Sequence, residues 1–322
     1  MMTKLFAIAA TTFLETIRQP IYGVILLLTP MFLMFNVSLA GFTMEDDNKL
    51  LQDLGLSTLL LSGLFLAAFS ATGVLAREIE NKTVLTVISK PVGRPVFIVG
   101  KFLGLAGALS VAFYLCGIVF LFTLRHRVLQ TASDKFDMPV LIFGVGGLLL
   151  TLGVAGVCNF LYRMTFASTA VKLSIPIFTI AWVLVCLISP AWELQSIGHD
   201  FGDGQLLAAT GLVFLAVLVL TAVAMAASTR FREVVTLVVC VAVLEVGLVS
   251  DYLFGRYSDQ SWLADVIYRF VPNLAFFWVA DALTAGNVVT VDYVLGVSSY
   301  AACYILAALL LAIALFQRRE VG

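Results

Sequence analysis

The sequence predicts an all-α integral membrane protein: a polytopic bundle of about eight transmembrane helices, preceded by one helix lying in the membrane interface. Three observations carry this reading. Hydrophobic residues make up 61% of the 322 residues and charged residues only 12%, with a mean hydropathy of +1.05. A soluble domain carries about 25% charge, so this chain cannot cover a water-exposed surface, and the same composition excludes a disordered chain. Eight runs approach the ~20 apolar residues that a spanning helix needs. Lys and Arg, finally, are distributed unevenly between those runs.

The runs are 21–42, 54–76, 102–124, 139–161, 173–191, 206–228, 234–254 and 291–316, within a single transmembrane domain over 1–322. None alternates in the manner of a barrel strand. The run 173–191 is short and begins near Pro176, and 234–254 carries Glu245. With the N-terminus in the cytoplasm, the inside segments hold Lys4, Arg18, Arg77, Lys82, Lys90, Arg94, Lys101, Arg163, Lys172, Arg230, Arg232, Arg318 and Arg319, thirteen of the 19 basic residues. The outside segments hold Lys49, Arg125, Arg127, Lys135, Arg256 and Arg269, together with most of the acids. That asymmetry places both termini in the cytoplasm and the number of spans at an even value. Arg125 and Arg127 argue mildly against it. The formal net charge of -1 leaves no footprint for nucleic acid.

Residues 1–20 are two-faced as a helix. Lys4, Thr11, Glu15 and Arg18 fall on one side, and Phe6, Ala9, Phe13 and Ile17 on the other. Such a helix lies in the interface, and Pro20 breaks it before the first span. The alternative is a first span that starts early. A signal peptide is disfavoured because Thr11, Thr12, Glu15 and Arg18 stand where a cleavage site belongs.

The longest inside segment is 77–101, between the second and third spans. Arg77, Glu78, Glu80 and Lys82 begin it with charge. Thr83 to Ser89 is mostly apolar and long enough for about two helical turns. Lys90-Pro91 stops that helix, Gly93 and Pro95 shape a turn, and Lys101 opens the next span. A short apolar helix with charged flanks either ties the chain to the lipid surface or docks in a groove of a partner.

Arg77, Glu78, Thr83, Ser89, Lys90, Pro91, Val92, Arg94, Phe97, Gly100, Lys101 and Gly104 stand at the spacing of a known pattern. It resembles the first cytoplasmic loop of ABC transporter permeases of the ABC-2 type, the type-2 exporters. Where many members carry Gly before the Thr, this chain carries Lys82. Phe13 to Arg18, with Glu15 between them, resembles the elbow helix of that family. Val271-Pro272-Asn273-Leu274 and Phe316 to Glu320 are similar to its C-terminal finish. The resemblance implies that 77–101 holds the coupling helix, which touches a separate ATP-hydrolysing subunit, with Leu85 on its apolar centre. It further implies a second permease copy or a paralogue, no enzyme activity or cofactor on this chain, ATP on the partner, and a prokaryotic cytoplasmic (inner) membrane. Members usually have six spans, so an inserted hairpin in 139–228 is the simplest account of eight. In keeping with ATP on the partner, no phosphate-binding loop of the Gly-x-x-x-x-Gly-Lys-[Ser/Thr] type occurs.

Other features have plainer readings. Cys116, Cys158, Cys186, Cys240 and Cys303 are isolated thiols in apolar runs, and His126 and His199 lack the neighbours of a metal site. Gly144, Gly147, Thr151 and Ala155 form a small-residue face for packing within the subunit or against a second copy. In the long outer segment 255–290, Trp262, Val266, Phe270 and Phe277 recur at helical spacing, with Trp278 beside them. That segment is either a helix on the outer membrane surface or a lid. Glu245 is an intramembrane carboxyl, either part of an ion path or a satisfied group facing the bundle interior. The rival functions are an ion-coupled secondary transporter, which Glu245 alone supports, and a membrane-embedded lipid-modifying enzyme, for which no clustered acids or histidines appear.

Overall fold

The structure, a computed structural model, describes residues 2–41, 47–80, 93–129, 135–196, 198–201, 204–257 and 261–317, and of 76–80 the backbone only. Helices occupy 84% of the described residues, and no strand is found among them. In order they are α1 (Met2–Ile17), α2 (Pro20–Ala40), α3 (Asp47–Glu80), α4 (Arg94–His126), α5 (Met138–Tyr162) and α6 (Phe166–Leu187). Then follow α7 (Gln205–Ser228), α8 (Glu233–Leu248), α9 (Ser250–Leu253), α10 (Trp262–Phe270), α11 (Ala280–Thr284) and α12 (Val291–Gln317). Seven of these are long and apolar enough to cross a membrane, and up to nine spans result if two bent pairs each count as one. The protein is therefore a polytopic helical membrane protein.

α3, α4 and α7 form the centre, and α2, α8 and α12 pack around them. Lipid is as apolar as leucine, so helices associate there through close packing and hydrogen bonds rather than through expulsion of water. Cross-helix polar ties fit that physics. Tyr22, fully buried, donates its hydroxyl to Ala108 O at 2.9 Å, tying α2 to α4. Asn36 Nδ2 donates to Thr58 Oγ1 at 2.9 Å, tying α2 to α3.

α5 and α6 pack chiefly on each other and reach the centre through α4. The small-residue face of α5 is consumed inside the chain: Gly144, Gly147, Thr151 and Ala155 are all buried. A Cβ on Gly144 would meet Phe122 of α4, and one on Gly147 would meet Ile177 and Ala181 of α6.

α1 is a helix of its own, not an early start of the first span. Gln19 is extended between α1 and α2, and Pro20 begins α2. The side it buries is the expected one except at Phe6: Lys4, Thr11, Glu15 and Arg18 are exposed, and Ala9 and Phe13 are partly buried. Thr12, Thr16 and Ile17 are buried, whereas Phe6 is 67% exposed. The partner surface is glycine-rich, so small side chains fit against it and the large ring turns outward.

The expected span 234–254 is not one helix. α8 stops at Leu248 and the chain bends by 67° into Ser250–Tyr257. The cause is the segment that follows α10: Leu274 N donates to Gly247 O at 3.0 Å, taking a helical acceptor. Only glycine fits there, since a Cβ on Gly247 would lie 2.7 Å from Pro272 O.

The helical spacing of the outer segment also ends early. Trp262 and Phe270 are exposed on α10, but the chain is extended at Val271 and Phe277 is buried in the core. Residues 269–276 instead run antiparallel beside α12. Tyr304 donates to Arg269 O and Val271 O, both at 2.9 Å, Asn273 N donates to Tyr300 Oη at 2.6 Å, and Tyr293 donates to Phe276 O at 2.7 Å. Tyr304 lies ~20 Å along α12 from its start, at ~1.5 Å per residue. Irregular backbone at such depth needs its polar groups satisfied by protein, and the three tyrosines do that.

Candidate functional site

The second half of the loop motif builds a junction at the first turns of α4. Gly93 is extended and Pro95 sits in the first turn, where a missing N–H costs nothing, so the helix starts at Arg94 rather than after a turn. Lys101, expected at the edge of the span, is consequently inside α4 and only 3% exposed. Its Nζ lies 3.4 Å from Glu15 Oε2 of α1 and 5.7 Å from the centre of the Phe97 ring. Gly100 faces Ile8, and Gly104 faces the α1 backbone. Phe13 packs against Gly107, one turn further on, while Arg18 is exposed.

The same turns hold the end of α12. Arg94 Nη1 donates to Gln317 O at 3.0 Å, and Phe97 stacks on Phe316 with ring centroids 5.8 Å apart. Arg230, after α7, donates to Leu315 O at 3.2 Å. Both carbonyls lie in the last described turn of α12. The elbow candidate, α4 and the final helix thus meet at one place. Arg77, Glu78 and Glu80 lie on the last turn of α3, where only the backbone is described. Thr83, Leu85, Ser89, Lys90 and Pro91 lie outside the described residues, as do Arg318, Arg319 and Glu320.

A Cβ on Gly104 would stand 2.4 Å from Ala9 O and 2.6 Å from Thr12 Cβ. Gly104→Leu is therefore expected to push α1 off α4. A disulfide engineered between the two helices checks this: cross-linking efficiency should fall sharply in Gly104→Leu and stay intact in Gly107→Ala, where the nearest side-chain atom is 3.5 Å away.

Glu245 does not face the bundle interior. Leu244 and Gly247 beside it are buried, whereas Glu245 is exposed. A charged side chain at the centre of a spanning helix costs on the order of 2.5–3.5 kcal/mol in lipid.

At the far end of α4 lies an open cavity of ≈ 1340 Å³, lined among others by Asn48, Gln52, Arg127, Lys135, Glu193 and His199. Arg125 anchors its wall. This side chain is 3% exposed; Nε lies 3.0 Å from Asp137 Oδ2 and Nη1 3.4 Å from Asp200 Oδ2. Its remaining nitrogen donates to Ile188 O. Asp137 also caps α5 by accepting from Val140 N at 3.2 Å, and Asp200 accepts from Gln195 Nε2 at 2.7 Å. Arg125 is therefore a buried, neutralised clamp joining α4, α5 and the segment after α6. Its significance was hidden because Asp137 and Asp200 are distant in sequence. Among the described residues no group of three or more His, Cys, Asp or Glu is placed to hold a metal.

Comparison with family models, with curated proteins and with solved structures found no match for this chain. The helices define an integral membrane protein of the polytopic α-helical class.

Proposed function

We propose that this chain is the membrane-spanning permease subunit of an ATP-driven ABC transporter of the ABC-2 type. In this reading it is an exporter in a prokaryotic inner membrane. It pairs with a second copy or a paralogue and is driven by a separate ATPase subunit that binds the ATP. One observation carries the reading: the stretch Arg94–Gly104, which bears five of the twelve residues of the family-like pattern, also fastens α1 and α12 to the base of α4. A push on 81–92 from a partner below then acts on α3 and α4 directly, and α4 carries α1 and α12 with it. Switching between inward- and outward-facing states requires such rigid groups of helices rather than one yielding segment. The chain itself performs no chemistry on the solute.

Purification of the chain in mild detergent from its native membrane tests this. A co-purifying subunit with a phosphate-binding loop, and ATPase activity that depends on both proteins, is the expected result. A chain recovered repeatedly without any ATP-binding partner overturns the proposal. Orientation has its own check. Cysteines placed at Lys90 and Glu320 are expected to resist impermeant reagents applied to intact cells and to react after permeabilisation; efficient labelling of either from outside refutes cytoplasmic termini.

A further inference from the structure

We propose that the exposed face of α8 lines the path of the transported solute, and that Glu245 makes this path favour solutes carrying a positive charge. The assignment rests on the permease reading above. Val234, Val238, Val241 and Val249 are exposed along one side of the helix, and Glu245 falls in the same row at spacings of four and three. Cys240, Leu244 and Gly247 occupy the opposite, buried side. Glu245 stands ~18 Å along α8 from Glu233, a depth that falls inside a ~30 Å hydrocarbon layer entered at Glu233. Among the described residues its carboxylate has no ion-pair or hydrogen-bond partner.

In this reading a bare carboxylate at that depth is best served by water. Its exposure on the face away from Leu244 and Gly247 keeps it out of the bundle interior, and the cost of a charge in lipid favours water. The chain just beyond α8 is polar and exposed as well: Asp251 accepts from Tyr268 Oη and from Asn273 Nδ2 at 2.8 Å, and Tyr252 is 68% exposed. Arg269 of α10 is paired with Asp265 at 2.9 Å. With two copies facing each other across a water-filled gap, each contributes one Glu245, and the pair attracts cations and repels anions.

The test uses the full chain in native membranes with its five cysteines replaced. Single cysteines are then introduced at Val238 or Val241 on the α8 row, and at Leu306 or Leu310, which are exposed on α12. Two impermeant methanethiosulfonates of opposite charge, trimethylammonium-ethyl and sulfonatoethyl, probe them. Only thiols in contact with water ionise and react. The expected result is labelling of Val238→Cys and Val241→Cys but not of the α12 positions. The cationic reagent should be favoured by roughly tenfold over its ratio with a free thiol, an excess removed by Glu245→Gln. Thiols on α8 as silent as those on α12 overturn the path, and a charge ratio unmoved by Glu245→Gln overturns the selectivity. Labelling needs neither ATPase nor substrate. Silent α8 thiols in protein that co-purifies with an ATPase therefore remove the path assignment alone. Failure to recover an ATPase removes the permease reading instead.

Discussion

Leu85→Asp is expected to leave the chain inserted in the membrane, to release the ATPase subunit and to abolish ATP-driven transport. Leu85 sits at the centre of the apolar run Thr83 to Ser89, between charged flanks and the stop at Pro91. Docked in a partner's groove, such a side chain contributes roughly 1.5–3 kcal/mol. Aspartate forfeits that and leaves an unpaired charge at the interface, so affinity for the partner should fall by at least about tenfold to a hundredfold. The bundle is untouched, because its own ties, Lys101–Glu15 and Arg94–Gln317, lie on the other side of Gly93. A helix that merely tied the chain to lipid would behave differently: membrane stability would fall with no selective loss of the partner. Recovery of the ATPase subunit at matched expression, together with transport in vesicles, separates the two. Equal recovery with unchanged transport refutes the coupling role.

The second large effect is expected at the opposite end. Arg125→Met removes a buried guanidinium and strands Asp137 and Asp200 beside an apolar side chain. Breaking a buried pair by deleting one partner costs about 3–5 kcal/mol, mainly through the charge left behind. Thermal unfolding in detergent should therefore show a severe loss for Arg125→Met. It should show a much smaller one for Arg125→Met combined with Asp137→Asn and Asp200→Asn, which removes the stranded charges together. Additive losses would mean that these groups are not energetically coupled.

Much of the fold was legible because membrane helices declare themselves by length and hydropathy alone. The runs 139–161, 206–228 and 291–316 match α5, α7 and α12 to within a residue or so at each end. What escaped depended on contacts between distant residues. The end of α8 is imposed by Leu274 and Pro272, and nothing in 234–254 announces it. The outward turn of Phe6 on α1 is set by Gly100 and Gly104, a small-residue pair four apart that was visible in the sequence but is informative only once α1 is known to lie on it. The loop motif was legible as a pattern, yet its second half belongs to a helix, since Pro95 opens α4 instead of ending a turn. Glu245 stood out from its apolar surroundings; which way it faced was a question of rotation around α8, and the buried neighbours Leu244 and Gly247 answer it.

The shortness of α8 bears on how this protein is made. Its 16 residues extend only ~24 Å, less than the ~30 Å of hydrocarbon that an emerging segment has to bridge. While the ribosome has delivered nothing beyond Leu248, Gly247 O has no Leu274 to bond and Glu245 sits in an unfinished bundle. The irregular stretch 269–276 is in turn satisfied by Tyr293, Tyr300 and Tyr304, which are synthesised after it. This part of the membrane domain therefore settles only after translation has passed Tyr304, so α8 depends on the insertion machinery to hold it until α12 arrives.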